Sequence, residues 1–86
     1  MVSVRTHELP KAVVPSVLKA ARLLDEVAST REALSLAEIA ARLDLPKSST
    51  LSLCTSLTQS GLLTRYENNT YHLGTHLVDL AHAYLA

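Results

Sequence analysis

Eighty-six residues, 48% of them apolar, can build one modest core, a size that excludes most stand-alone enzymes. Eight Lys and Arg balance eight Asp and Glu, so the net charge is zero and the total offers no sign of a nucleic-acid coat or a charged tail. A single cysteine forms no internal disulfide and no zinc-ribbon spacing, and a reduced, cytosolic setting is expected.

Residues 1–13 have mixed polarity, Pro10 and no period, and read as a flexible arm. The apolar run 12–14 is far shorter than the core of a signal peptide, and no segment suits a membrane. From Pro15, a good first residue for a helix, Val17, Ala20, Ala21, Leu24, Val27 and Ala28 recur on one helical stripe. Leu18 and Leu23 flank that stripe. The face is therefore either a broad core surface or a core surface joined to a second contact, such as another copy of the chain.

A polar break at 29–32 precedes Ser35, which stands three residues before Glu38, the spacing of a capping box. Leu36, Ile39, Ala40 and Leu43 give the short second helix its buried face. Proline disfavours helical geometry in the residue before it, so this helix stops near Leu43 and a third starts at Pro46. The third helix spans 46–60 and ends at Gly61, with Leu53, Cys54 and Leu57 expected to pack inward. Eight of its fifteen residues are Ser or Thr, out of seventeen in the chain. That composition weakens the helix by roughly 3 to 4 kcal/mol against polyalanine, so the hydroxyls serve something other than helix strength.

Beyond Gly61 the pattern becomes a hairpin at 62–73, turning through Glu67, Asn68, Asn69 and Thr70 and closed by Gly74. Leu77, Leu80, Ala81 and Tyr84 then form a last helical stripe, with Val78 and Leu85 on a second side. This helix has no stop signal, and residues 75–86 read as the start of a linker or dimerisation helix that continues in the natural protein. The expected fold is mostly α with a small β-hairpin: a winged helix-turn-helix of three core helices, a two-stranded wing and a C-terminal linker helix, with residues 14–74 as its functional domain.

The run Leu36-Ala37-Glu38-Ile39-Ala40-Ala41-Arg42-Leu43-Asp44-Leu45-Pro46-Lys47-Ser48-Ser49, then Leu57, Gly61 and Leu62, then Tyr71-His72-Leu73-Gly74, resembles the N-terminal DNA-binding domain of the IclR family of bacterial transcription regulators. The more specific parts are Leu-Pro-Lys-Ser at the start of the third helix and Tyr-x-Leu-Gly after the hairpin. The resemblance implies a cytoplasmic, dimeric reader of double-stranded DNA, of the repressor type, on an imperfect palindrome. It also implies a second, larger domain, absent from this sequence, that senses a small-molecule effector. Pairing is expected through the first and fourth helices.

The residues make their own case for DNA. With the third helix in the major groove, Lys47, Ser48 and Ser49 bring one charge and two hydroxyls to its first turn, where free N–H groups already favour phosphate. Leu51, Ser52 and Thr55 lie opposite the Leu53 and Leu57 face and can meet base edges, Leu51 through a thymine methyl. Segment 46–66 carries Lys47 and Arg65 and no acid, so a basic reading surface is hidden inside the neutral total. Arg65 is the candidate wing cation, and Asn68 and Asn69 are candidate backbone contacts or simple turn formers. Ser35, at the start of the second helix, completes the candidate set. One departure concerns Ser52: related domains commonly carry Arg or another strong donor at its place, and a polar residue at that of Leu51.

Two other classes are open to the sequence. A winged helix that binds protein instead of DNA suits the zero charge and the apolar flanks of helices one and four. Catalysis finds little support, since no strained Gly-flanked turn surrounds a Ser and Cys54 falls on an apolar face. Metal binding by His72, His76 and His82 is also weak, none being paired at i, i+4 in one helix, and no cofactor is expected.

Overall fold

The computed structural model describes residues 11–86, so the first ten residues of the expected arm lie outside the described residues. Pro15 occupies the first turn of helix α1, Pro15–Ala28, where its missing N–H leaves no helical bond unmade. The inward face of α1 is centred on Leu23 and Val27, both without exposed area, with Ala20 and Leu24 partly buried beside them. This is a rotation of the expected stripe: Val17 is 62% exposed and Ala21 and Ala28 also face outward. The larger Leu23 takes the centre because burying it removes more apolar surface from water than burying an alanine.

A two-residue strand β1, Leu34–Ser35, leads directly into helix α2, Leu36–Leu43. Both halves of the capping box form: the Glu38 N–H donates to Ser35 Oγ at 3.1 Å, and the Ser35 N–H donates to Glu38 Oε1 at 2.9 Å. Ile39, Ala40 and Leu43 are buried as expected. Asp44 then takes a left-handed conformation (φ 54°), and Leu45 N–H returns to the Ala40 carbonyl at 3.1 Å. The chain reverses here and Pro46 starts the next helix.

Helix α3, Lys47–Gln59, packs on α1 and α2 through Thr50, Cys54 and Leu57, while Leu53 is only partly buried. Thr50 has no exposed area, and its hydroxyl donates to the Pro46 carbonyl at 2.9 Å, which satisfies the buried polar atom within its own helix. Gly61, at φ 78°, ends the helix as its position suggested.

Strands β2, Leu63–Arg65, and β3, Thr70–Leu73, form the expected hairpin, paired Leu63 to Leu73, Thr64 to His72 and Arg65 to Tyr71. The short β1 adds to β3 on its other edge, Leu34 opposite Tyr71, giving a three-stranded antiparallel sheet in the order β1-β3-β2. Tyr66 and Thr70 close a three-residue turn in which Asn69 is left-handed (φ 61°) and donates to the Tyr66 carbonyl at 3.0 Å. One core joins these elements: Leu23, Val27, Ile39, Leu43, Cys54 and Leu57 from the helices, and Leu34, Leu63 and Tyr71 from the sheet.

Where the wing returns to the body, Gly74 N–H donates to the Leu62 carbonyl at 2.9 Å and His76 N–H to the Gly61 carbonyl at 3.1 Å. The chains approach so closely that a Cβ on Gly74 would lie 2.1 Å from the Gly61 oxygen. Helix α4, His76–Leu85, follows. It has no buried residue, and of its expected stripe only Leu77 is partly covered, while Leu80 and Tyr84 are exposed.

Gly74→Ala is therefore expected to destabilise the domain by well over the roughly 1 kcal/mol of an average substitution, since backbone must move to admit the methyl group. Thermal unfolding followed by circular dichroism checks this. A melting curve equal to that of the parent chain would contradict it.

Candidate nucleic-acid interface

The first turn of α3 has neither an acidic residue nor a side-chain cap from Pro46, so the N–H groups of Lys47, Ser48 and Ser49 are left uncapped beside two exposed hydroxyls and an ammonium. Ser48, Ser52, Thr55 and Gln59 follow at i, i+4, i+7 and i+11, all exposed, and form the outward crest of the helix. The Ser52 hydroxyl donates back to the Ser48 carbonyl at 3.2 Å, which leaves its oxygen lone pairs outward as acceptors. Leu51 is 47% exposed on one side of the crest, in agreement with its expected outward position.

Between that side of α3 and the wing lies an open groove of about 550 Å³, lined by Leu51, Thr55, Thr58 and Gln59 from the helix and by Arg65 and Asn69 from the hairpin. Arg65 donates from its guanidinium to the Asn69 side-chain carbonyl, which holds the cation at the groove's edge. Asn68 accepts from the Thr70 hydroxyl at 2.6 Å. Both asparagines thus shape the turn, the alternative role open to them in the sequence. Ser35 is committed first of all to the cap of α2, and its neighbour Leu36 lines the groove. The structure therefore brings Leu51, Thr55, Arg65 and Asn69 around one groove, sets Lys47, Ser48, Ser49 and Ser52 on the adjoining helix face, and leaves Asn68 at the turn.

Two groups escaped the sequence reading. Gln59 completes the crest, and its i, i+11 register from Ser48 was the available signal. Thr58 has a buried hydroxyl oxygen that makes no hydrogen bond, on the helix flank lining the groove. No pattern in the sequence marks it, because a bond left unmade depends on tertiary packing.

Several cations point elsewhere. Arg42 pairs with Glu26 at 3.6 Å, and Arg22 donates to the Leu43 carbonyl at 3.5 Å, so both brace α1 against α2. Burial pushes the Cys54 thiol up to about 11, away from thiolate chemistry. Among the described residues no group of three or more His, Cys, Asp or Glu side chains is placed to hold a metal ion, and no helix is long and apolar enough to cross a membrane.

Helix, short strand, helix, tight turn, exposed polar helix and hairpin define a winged helix-turn-helix domain. The model of the IclR helix-turn-helix domain matches residues 16–67, and the chain belongs to that family. Its fold is shared with the repressor BlcR of Agobacterium tumefaciens, at 38% identity and a TM-score of 0.79 over 85% of this chain and 29% of that one. An IclR transcriptional regulator from Alicyclobacillus acidocaldarius is similar at 32% identity and a TM-score of 0.75, over 81% of this chain and 29% of the other. An IclR homologue from Microbacterium hydrocarbonoxydans, solved with 4-hydroxybenzoate, matches at 25% identity and a TM-score of 0.70, over 76% and 27% of the two chains. The chain thus spans under a third of the length of these structures. A search of curated proteins found no match.

The capping box gives a prediction with a pH sign. Hydrogen bonds from the Ser35 backbone N–H, and secondarily from its side chain, hold the Glu38 carboxyl below its ordinary 4.5. A depressed carboxyl stabilises the fold above the unfolded-state value and loses that contribution as pH falls through the lower folded-state value. Ser35→Ala should lower stability by about 1 kcal/mol, or about 4–8 °C in melting temperature. Glu38→Gln should flatten the fall in stability on the acid side of pH 4.5. An unchanged acid limb in Glu38→Gln would refute the assignment.

Proposed function

We propose that this domain binds double-stranded DNA sequence-specifically, with α3 in the major groove and the β2-β3 wing on the adjoining backbone. The observation that carries the reading is the outer face of α3, where exposed hydroxyls, one amide and Lys47 stand with no carboxylate. Open N–H groups at the first turn suit a phosphate, and Lys47 neutralises it. Along the crest, the Ser52 oxygen suits the amino group of adenine or cytosine, Gln59 the paired edge of adenine, and Leu51 a thymine methyl. Arg65 supplies a cation and donors for the strand that enters the wing groove.

The whole protein reads as a cytoplasmic, homodimeric repressor. Support for pairing through α1 and α4 comes from Val17, Val78, Leu80 and Tyr84, all at least 49% exposed, whose full burial would contribute about 1.5–3 kcal/mol per aliphatic side chain. Two α3 helices so related read half-sites about 34–36 Å apart on an imperfect palindrome. Repression is supported by the likeness to BlcR. Control by a small-molecule effector, acting on a second domain outside this sequence, is supported by the homologue solved with 4-hydroxybenzoate.

Binding of duplex DNA followed against salt tests the reading. Lys47→Ala should flatten the slope of log affinity against log salt by about one. Leu51→Ala and Ser52→Ala should change which sequences are preferred. A uniform response of all duplexes would remove the base-reading role of those two residues, and binding insensitive to salt would remove the DNA reading altogether, leaving a protein-binding winged helix.

A further inference from the structure

We infer that a second groove, on the flank of α3 away from the wing, seats the sugar-phosphate backbone of the opposite DNA strand, with Lys19 of α1 as its phosphate contact. The inference rests on the placement of α3 in the major groove. The groove holds about 390 Å³ and is lined by Ser16 and Lys19 from α1 and by Ser49, Ser52, Leu53 and Ser56 from α3. Four hydroxyls and one ammonium form its polar wall, with no carboxylate among them. With the Ser52 proton donated to the Ser48 carbonyl, the hydroxyls of Ser16, Ser49 and Ser56 and the Lys19 ammonium remain as donors, a set that fits a phosphodiester, which takes hydrogen bonds from hydroxyls and charge from Lys. It does not suit a divalent cation, which needs anionic or carbonyl oxygens.

The placement follows from the size of the partners. A helix is about 10–12 Å across with its side chains, and the major groove is about 12 Å wide, so a seated helix has a backbone strand on each flank. On one flank of α3 lies the wing groove with Arg65, and on the other the α1 groove with Lys19. The two flanks carry the same chemistry: one cation each, with hydroxyls between it and the crest. By its spacing in the sequence, Lys19 is a solvated charge on the far side of the first helix. The packing of α3 across α1 sets it instead on the same groove as Ser52, so that α1 supplies a cation on a flank where α3 has only hydroxyls.

The test uses the 86-residue chain and a fluorescent, mixed-sequence duplex of about three helical turns, roughly 30 base pairs. Lys19→Gln keeps much of the apolar stem and removes the charge. It should flatten the salt slope by about one, so that its affinity falls about fourfold less than that of the parent chain between about 50 and 200 mM salt. On a duplex carrying a sequence selected by the parent chain, which fixes the register, single neutral methylphosphonates walked along each strand then locate the contact. Lys19→Gln should become insensitive at one phosphate, and Arg65→Gln at a phosphate on the other strand. If Lys47→Ala flattens the slope and Lys19→Gln does not, this groove is no backbone seat, although α3 still reads DNA. Insensitive phosphates on the same strand for both variants would overturn the two-strand placement. Absence of salt-dependent binding by the parent chain would overturn the DNA reading and this inference with it.

Discussion

The burial of Thr50, Cys54 and Leu57 against α1 and α2 is the contact on which the rest of this domain depends. Helix α3 is a poor helix in isolation, disfavoured by roughly 3 to 4 kcal/mol relative to polyalanine by its hydroxyl side chains. Tertiary packing must hold it, and three buried side chains on one narrow strip do so. The narrow strip has a consequence: most of the remaining circumference stays outside the core and is free to carry polar groups. Thr50 shows how the strip tolerates a hydroxyl, because its donor is satisfied by the Pro46 carbonyl one turn back. The capped start of α2 and the left-handed Asp44 set the angle at which α3 is presented, and the Gly61 and Gly74 crossing fixes the wing beside it.

Zero net charge and a DNA-facing surface are compatible because the charges are sorted by position. No acidic residue lies on α3: Glu26 braces Arg42, Glu38 caps α2 and Asp79 meets His76 at 3.5 Å, while Asp44 and Glu67 sit in the turns before α3 and at the tip of the wing. The surface around α3 keeps Lys47 and Arg65, with Lys19 entering from the side. If all three of these cations met phosphates, the salt slope of a single copy would be about three.

Much of this was legible in the sequence. Pro15, the Ser35 and Glu38 spacing, Pro46, Gly61 and the Asn pair each act through local geometry, so the helix boundaries, the helix-turn-helix and the hairpin could be read directly. The missing parts are tertiary. Strand β1 has two residues and cannot display a period of two. The face of α1 turns toward Leu23 because packing favours the larger side chain over the regular spacing of its alanines. In the same way, the exposure of Leu51 and the hydroxyl crest followed from helical spacing alone, whereas the wing groove, the unbonded Thr58 hydroxyl and the groove that Lys19 shares with Ser52 depend on which helices cross where.

The central claim is that the hydroxyl-rich face of α3 is the surface that meets DNA. Titrating a duplex into the isotope-labelled chain and following each backbone amide by NMR tests it most directly. The account predicts perturbations concentrated in Lys47–Gln59 and at the wing turn, with the amides of α4 little changed. Perturbations confined to α4 and the exposed side of α1, with Lys47–Gln59 unmoved, would contradict it.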